Sequence, residues 1–178
     1  MDDSQISQED YDFYMANTRS RLRMTTLYQH AGMYRLLVAG TGNKVEDFGI
    51  GFYTKYGDGG VDISPIADLM KSEVYELGRE LGIIESILTA APTDGLHDDG
   101  RTDEDQIGAT YDELEWAMNW ESEHMVIETG VRSWYDDSDD KTLTERQKEV
   151  LKIYKRFNST NKHKMLPIPI FDTYKFRK

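Results

Sequence analysis

The sequence predicts an α/β fold in which a parallel sheet is flanked by helices. Two short segments carry this prediction: the apolar run Leu36–Ala39, which ends at Gly40, and a second strand-like segment, Val61–Pro65, which has Asp62 within it. A short, wholly apolar run that ends at glycine is typical of a parallel strand covered on both faces. A helical pattern follows over residues 68–81, and strands that alternate with helices define the α/β class.

Two strands with their helices do not make a sheet that is covered on both faces. The remaining strands are therefore expected in another segment or another chain. Ligands of parallel sheets bind beyond the carboxyl ends of the strands, which is where the turn Gly40–Asn43 falls. Its two glycines let the backbone approach a ligand closely, and its Thr41 and Asn43 offer hydrogen bonds.

Before the first strand, the sequence predicts a polar lead-in and one helix. Residues 1–10 are acidic and polar, which is typical of a mobile terminus. A helix is expected over Thr18–Ala31, with Gly32 as its stop. Alternate positions cannot all share one helical face, so at least one of three arginines is expected to make a special contact: Arg19, Arg21 and Arg23.

After the second strand, further helices are expected. The helix over residues 68–81 has a wide apolar stripe, carries Lys71 in its first turns and ends at Gly82. Another helix is predicted over Asp103–Met118, with acids in its first turn. A third begins at Thr144, which forms a capping box with Gln147.

Three segments have no clear helical or strand pattern. Residues 90–101 are rich in glycine and aspartate and indicate a long loop, either a lid or binding loop or a disordered acidic segment. Residues 121–140 are acidic and are expected to be a connection. Residues 159–178 form a basic tail.

Composition places the chain among soluble acidic proteins. It has 178 residues, enough for a single domain, and a formal net charge of −12. Nucleic acids and anionic membranes both favour basic partners, so neither is expected. The chain has no cysteine and four histidines, which argues against disulfides and zinc. Because no apolar run is long enough for a membrane span and the N-terminus is polar, a cytoplasmic location is expected.

Chemically functional side chains are concentrated around the predicted strand ends. Glu46 follows the first glycine turn, Asp62 lies within the second strand, and Lys55 and Lys71 lie nearby. Each of these residues alone is ordinary for a protein surface. Together, glycine turns and lysines suit phosphate, and a carboxylate suits a Mg²⁺ ion that bridges phosphates. The residues therefore indicate a nucleotide site.

The same stretch resembles the ammonia-dependent NAD synthetases. Residues 40–82 carry the resemblance and read GTGNKVEDFGIGFYTKYGDGGVDISPIADLMKSEVYELGRELG; within them, the block FYTKYGDGG is specific to that family. The resemblance is weakest over residues 119–140. It extends to four further segments: NTRSRLRM at 17–24, PTDGL at 92–96, RTDEDQIG at 101–108, and the pair His163–Lys164.

The resemblance implies a Rossmann-like fold of the adenine nucleotide alpha hydrolase type, present here in part. That family has, near its N-terminus, a Ser-Gly-Gly-x-Asp-Ser loop that holds the ATP pyrophosphate and supplies a magnesium-binding aspartate. Residues 1–178 contain no such loop. The chain is therefore expected to be the C-terminal part of a synthetase, as a truncated product, a fragment or one half of a split enzyme.

The resemblance also implies a two-step amide synthesis in a homodimer with the dinucleotide near the interface. The carboxylate of deamido-NAD attacks the α-phosphate of ATP, and ammonia then displaces AMP to give NAD. Free ammonia is the expected nitrogen donor. The catalytic groups are expected to be Glu46, as the Mg²⁺ ligand, and Lys71. The ATP contacts are expected from Thr41, Lys71 and Thr93, and the deamido-NAD contacts from Arg21, Lys55, Asp62, His163 and Lys164.

Two other functions stay open from the sequence. A chain without the pyrophosphate loop could be a non-catalytic nucleotide-binding fragment, or a subunit that pairs with a full-length synthetase. An ATP pyrophosphatase of another substrate class would keep the fold, but it would not need the FYTKYGDGG block.

Overall fold

The computed structural model describes residues 7–97, 99–128, 131–134 and 140–173. Helices predominate in this part of the chain, and none of them is long and apolar enough to cross a membrane. The elements are, in order, α1 (Gln8–Tyr34), a π-helix (Val45–Ile50), α2 (Lys71–Glu80), α3 (Glu85–Leu88), α4 (Asp103–Ile107), α5 (Tyr111–His124), β1 (Val126–Glu128), β2 (Val131–Ser133) and α6 (Glu145–Met165).

Helix α1 is longer than predicted at both ends. It begins at Gln8 because the Ser7 hydroxyl accepts a hydrogen bond from the Asp10 N–H, as a helix cap does. Gly32 does not stop it; the helix ends at Arg35, which adopts the left-handed conformation with φ 55°. The predicted start at Thr18 and stop at Gly32 were therefore wrong. Of the predicted lead-in, residues 8–10 are helical, and residues 1–6 lie outside the described part.

The two predicted parallel strands reduce to one parallel bridge between Ala39 and Ile63. The pairing direction is as predicted, and Gly40 N–H donates to the Ile63 carbonyl at 2.7 Å. Val38 is buried, but Leu36 and Leu37 are 64% and 67% exposed. Full strands need pairing partners on their edges and cover on their faces, and the described residues do not provide either for Leu36 and Leu37.

The core lies between α5, α6 and the π-helix. Its fully buried side chains include Val45, Ile50, Leu114 and Leu151. Helix α6 begins after Thr144, and the predicted capping box with Gln147 is confirmed. Because α6 continues to Met165, the first residues of the predicted basic tail, 159–165, are helical.

The predicted helix over Asp103–Met118 is two helices. Gly108 ends α4 in the left-handed conformation with φ 87°, and Thr110 then caps α5. Helix α5 runs on to His124, and the antiparallel pair β1–β2 follows it. Residues 121–140 are therefore more than the connection that was predicted. Helix α2 ends as predicted before Gly82, whose φ is 71°, although it begins only at Lys71.

Candidate nucleotide site

A cavity of about 610 Å³ lies between α1, the turn after Ala39, the start of α2 and the loop that follows residue 90. All four residues predicted to contact ATP or its metal line this cavity: Thr41, Glu46, Lys71 and Thr93. They come from four separate segments of the chain. A Cβ added at Gly40 would lie 2.9 Å from Val61 Cγ2 and 3.3 Å from the Ile63 carbonyl oxygen, so any larger residue would crowd this wall of the cavity.

Glu46 lies at the centre of the polar contacts in this cavity. Its Oε1 accepts from Lys71 Nζ at 2.8 Å and from the Tyr111 hydroxyl at 2.6 Å. Its Oε2 receives a longer contact of 3.4 Å from the Asn43 N–H. Both charged side chains are largely buried, with 15% of Glu46 and 19% of Lys71 exposed. Lys71 therefore balances the charge of Glu46 in this structure.

Tyr111 is a site residue that the sequence did not indicate. Its hydroxyl oxygen is 3.2 Å from Asp103 Oδ2, and its ring lies 4.4 Å from Lys71 Nζ. Burial, together with the nearby Glu46 and Asp103 carboxylates, raises the pKa of Tyr111 far above its ordinary value. Burial also raises the pKa of Asp103. The tyrosine is thus a neutral hydrogen-bond donor between two carboxylates.

Helix α2, which carries Lys71, is fixed to α5 through Ser72. The Ser72 N–H donates to Glu115 Oε1 at 2.9 Å, and its hydroxyl donates to Glu115 Oε2 at 2.7 Å. Glu115 lies one helical turn after Tyr111 on α5. One face of α5 therefore holds both Glu46 and the helix start that presents Lys71.

Replacing Glu115 with alanine is expected to lower the free energy of unfolding by about 1–3 kcal/mol, because it leaves two partly buried donors of Ser72 without their carboxylate. Urea unfolding measures the change. Glu123→Ala is the matched control, since Glu123 is exposed on the same helix. Equal stability of the two variants would contradict the role given to Glu115.

The residues fit a metal that is shared with phosphates rather than a closed protein site. In the described ranges, no group of three or more His, Cys, Asp or Glu is placed to hold a metal ion. Mg²⁺ commonly keeps several waters and takes one or two carboxylates together with substrate phosphates. Glu46, in the wall of a cavity and beside Lys71, fits that pattern.

Three of the five residues predicted to contact deamido-NAD are linked by direct contacts, and a fourth is adjacent to one of them in the chain. Lys55 Nζ donates to the His163 carbonyl at 2.6 Å, and Arg21 Nε contacts the Lys55 carbonyl at 3.3 Å. Lys164, which adjoins His163, donates to the carbonyls of Gly51 and Tyr53. Burial lowers the pKa of Lys164. The cluster joins α1, the FYTKYGDGG block and the end of α6.

Asp62, the fifth of these residues, makes its described contacts elsewhere. Its Oδ2 accepts from the Val38 N–H at 2.8 Å, and its Oδ1 accepts from the Tyr28 hydroxyl at 3.2 Å. In this structure Asp62 therefore supports the bridge between Ala39 and Ile63.

Two of the three alternating arginines hold the loop that follows residue 90. Arg19 donates to the Leu96 carbonyl at 2.6 Å, while Arg23 donates to the carbonyls of Asp94 and Gly95 at 3.2 and 3.0 Å. Arg19 and Arg23 are one turn apart, so they share a face of α1. The predicted special contact of at least one arginine is confirmed.

This loop is expected to gain protection when nucleotide binds, because Thr93 and Asp94 line the cavity while Thr93 and Gly95 are exposed. Hydrogen exchange over residues 92–97, with and without ATP and Mg²⁺, measures the effect. Amides of α5 serve as the internal control, since that helix lies in the core. Unchanged exchange in an enzyme that turns over ATP would contradict a lid.

Comparison with known proteins defines the class of this chain. The family model of NAD synthase matches residues 1–166, so the chain belongs to the NAD synthase family. The resemblance seen in residues 40–82 is thereby confirmed.

Individual relatives agree with that assignment. An NH₃-dependent NAD⁺ synthetase of Methanococcoides burtonii is 52% identical over 102 residues, which cover 57% of this chain and 38% of the relative. One of Carboxydothermus hydrogenoformans is 52% identical over 101 residues, covering 57% of this chain and 41% of the relative. The match to these curated relatives thus spans about two fifths of their length.

Solved structures resemble the chain over nearly all of its length. The NMN synthetase from Francisella tularensis matches with a TM-score of 0.67 and 31% identity, over 95% of this chain and 59% of that one. The NH₃-dependent NAD synthetase from Campylobacter jejuni matches with a TM-score of 0.56 and 24% identity, over 88% of this chain and 54% of that one, and this shows the fold alone. Both agree with an α/β nucleotide-binding fold.

Proposed function

We propose that this chain forms the ATP site and part of the dinucleotide site of an ammonia-dependent NAD synthetase. The observation that carries the proposal is the cavity in which Thr41, Glu46, Lys71 and Thr93 come together, with Lys71 in direct contact with Glu46. The family membership and the curated relatives support it.

The reaction requires a site that tolerates and stabilises negative charge. A carboxylate oxygen of deamido-NAD forms a bond to the α-phosphorus of ATP while pyrophosphate leaves. Ammonia then bonds to the acyl carbon, AMP leaves with that oxygen, and a proton is lost. Bound Mg²⁺ would supply positive charge to the phosphates at Glu46. The Lys71 ammonium supplies a second positive charge from the first residue of α2.

The cluster around Lys55 fits the dinucleotide. Arg21, Lys55 and Lys164 bring three cationic side chains to one region, which suits the pyrophosphate of deamido-NAD. His163 lies within the same cluster. We assign Asp62 to the dinucleotide by family resemblance, although its contacts here are with the backbone and Tyr28.

The finer features of the fold and assembly belong to the same proposal. The parallel bridge at Ala39 and the exposed Leu36 and Leu37 support a Rossmann-like parallel sheet that is completed by further strands. The family resemblance supports a cytoplasmic homodimer that uses Mg²⁺ and free ammonia. Neither nucleic acid nor a membrane is part of the proposal, in keeping with the net charge of −12.

Amidation of a mononucleotide is the second candidate, because the Francisella tularensis match over 95% of this chain is an NMN synthetase. The two candidates differ in product, not in the chemistry of the carboxylate. The test supplies deamido-NAD and deamido-NMN to an enzyme that combines residues 1–178 with the portion of a family member outside the match. Preferential formation of NAD is expected; preferential formation of NMN would favour the second candidate.

A further inference from the structure

We propose that Tyr111 is a positioning residue that orients the Glu46 carboxylate, so that Oε1 holds Lys71 while Oε2 is left for the metal–nucleotide ligand. The inference rests on the proposed nucleotide site, and it assigns to α5 a role in building that site. Tyr111 is 65 residues away from Glu46 in the chain, so the contact depends on the packing of α5.

The hydrogen bonds of Glu46 define the orientation. Two donors, Lys71 Nζ and the Tyr111 hydroxyl, converge on Oε1 at 2.8 and 2.6 Å. The contact of Oε2 with the Asn43 N–H, at 3.4 Å, is longer than an ordinary N–H···O hydrogen bond. A carboxylate with two short bonds on one oxygen cannot rotate without breaking them. Oε2 is therefore the oxygen that can accept a cation at the lowest cost.

Tyr111 is a rigid support for this arrangement. The residue is 5% exposed and belongs to the core of α5 and α6, and its N–H donates to Glu104 Oε1 at 2.9 Å. Its ring lies 4.4 Å from Lys71 Nζ, which is within cation–π range. The same side chain thus contacts both charged groups of the site.

Asp103 is a second and more distant acceptor for the tyrosine hydroxyl. It is 7% exposed, and its Oδ2 is 3.2 Å from the Tyr111 oxygen. The contact of the hydroxyl with Glu46 Oε1 is shorter, at 2.6 Å. The shorter contact assigns the single tyrosine proton to Glu46.

The test compares Tyr111→Phe with Tyr154→Phe in an enzyme that combines residues 1–178 with the portion of a family member outside the match. Both tyrosines are buried, at 5% and 4% exposure, and phenylalanine keeps each ring. Binding of ATP is measured by calorimetry with and without Mn²⁺, which serves as the metal probe, and bound Mn²⁺ is followed by its EPR signal. Tyr111→Phe is expected to weaken Mn²⁺–ATP binding about tenfold and to leave metal-free ATP binding within about twofold. Tyr154→Phe is expected to change neither.

Two results in Tyr111→Phe would overturn the inference: wild-type binding of Mn²⁺–ATP, or equal weakening with and without Mn²⁺, which indicates a merely structural role. If Tyr111→Phe does not fold, 3-fluorotyrosine at position 111 replaces it as the probe, because it keeps both the ring and the hydroxyl. Its fluorine NMR signal is expected to shift when Mg²⁺–ATP binds and to shift less with ATP alone, since a metal at Oε2 draws charge from the carboxylate that accepts from this hydroxyl. Equal shifts with and without the metal would overturn the inference.

Glu46→Gln separates this inference from the proposed function. In Glu46→Gln, Mn²⁺ is expected to stop strengthening ATP binding. That result, together with wild-type binding in Tyr111→Phe, would refute the positioning role and leave the nucleotide site standing. If Mn²⁺ still strengthens ATP binding in Glu46→Gln, both the metal assignment and the positioning role are refuted.

Discussion

Lys71→Met is expected to slow adenylation at least about tenfold in an enzyme that combines residues 1–178 with the remaining portion of a family member. The substitution removes the ammonium group that faces the cavity 2.8 Å from Glu46. It also leaves the negative charge of Glu46 unbalanced beside the proposed triphosphate. Both the lost positive charge and the unbalanced negative charge are expected to slow adenylation. A charged group that stabilises a transition state commonly contributes a few kcal/mol.

The rate of pyrophosphate release at saturating substrate measures this effect. Lys152→Met is the matched control, because Lys152 is exposed on α6 and does not line the cavity. Pyrophosphate release that is equal in wild type and Lys71→Met would reject the role of Lys71 in adenylation.

The polypeptide of residues 1–178 is expected to bind ATP weakly and to form no NAD by itself. Glu46 is the one carboxylate proposed here to hold Mg²⁺, so the position of the octahedral ion depends on how firmly the phosphates themselves are held. The sequence of residues 1–178 also has no pyrophosphate loop to hold the leaving group. NAD formation from deamido-NAD, ATP and ammonia is the measurement.

A polypeptide that supplies the rest of the fold is expected to restore solubility and activity together. Leu36, Leu37, Met33 and Tyr34 are all more than 60% exposed around the first predicted strand, which favours association of the isolated polypeptide. Adding a polypeptide that carries the pyrophosphate loop and the missing strands should cover this surface and complete the site. Robust NAD formation by residues 1–178 alone would show that the chemistry depends on other groups.

The proximity of the side chains proposed to contact ATP could be predicted from the sequence because it depends on local rules. Strand ends, glycine turns and a helix start placed Gly40, Glu46 and Lys71 near one another, and the structure confirms their proximity. The prediction that Thr93 contacts ATP came from the family resemblance alone. Its approach to the cavity depends on Arg19 and Arg23, whose hydrogen bonds to loop carbonyls have no sequence signature.

Tyr111 was missed because no local pattern connects it with Glu46. A signal for its position did exist: Thr110 and Glu113 form a capping box, which fixes Tyr111 as the first residue of α5. The continuous apolar stripe over residues 103–118 concealed that boundary, although Gly108 marks it. The extent of the strands could not be predicted, since strands form only where pairing partners exist. Of the two predicted parallel strands, only Ala39 and Ile63 form a β-bridge in the described residues.

Transfer of oxygen from deamido-NAD to AMP tests the proposed function most directly. Deamido-NAD labelled with ¹⁸O in its nicotinate carboxylate is supplied, with ATP and ammonia, to the enzyme that combines residues 1–178 with the rest of a family member. Attack of the carboxylate on the α-phosphate predicts one ¹⁸O atom in each AMP and none in pyrophosphate, with slower labelling in Lys71→Met. NAD formation with unlabelled AMP would contradict adenylation at this cavity.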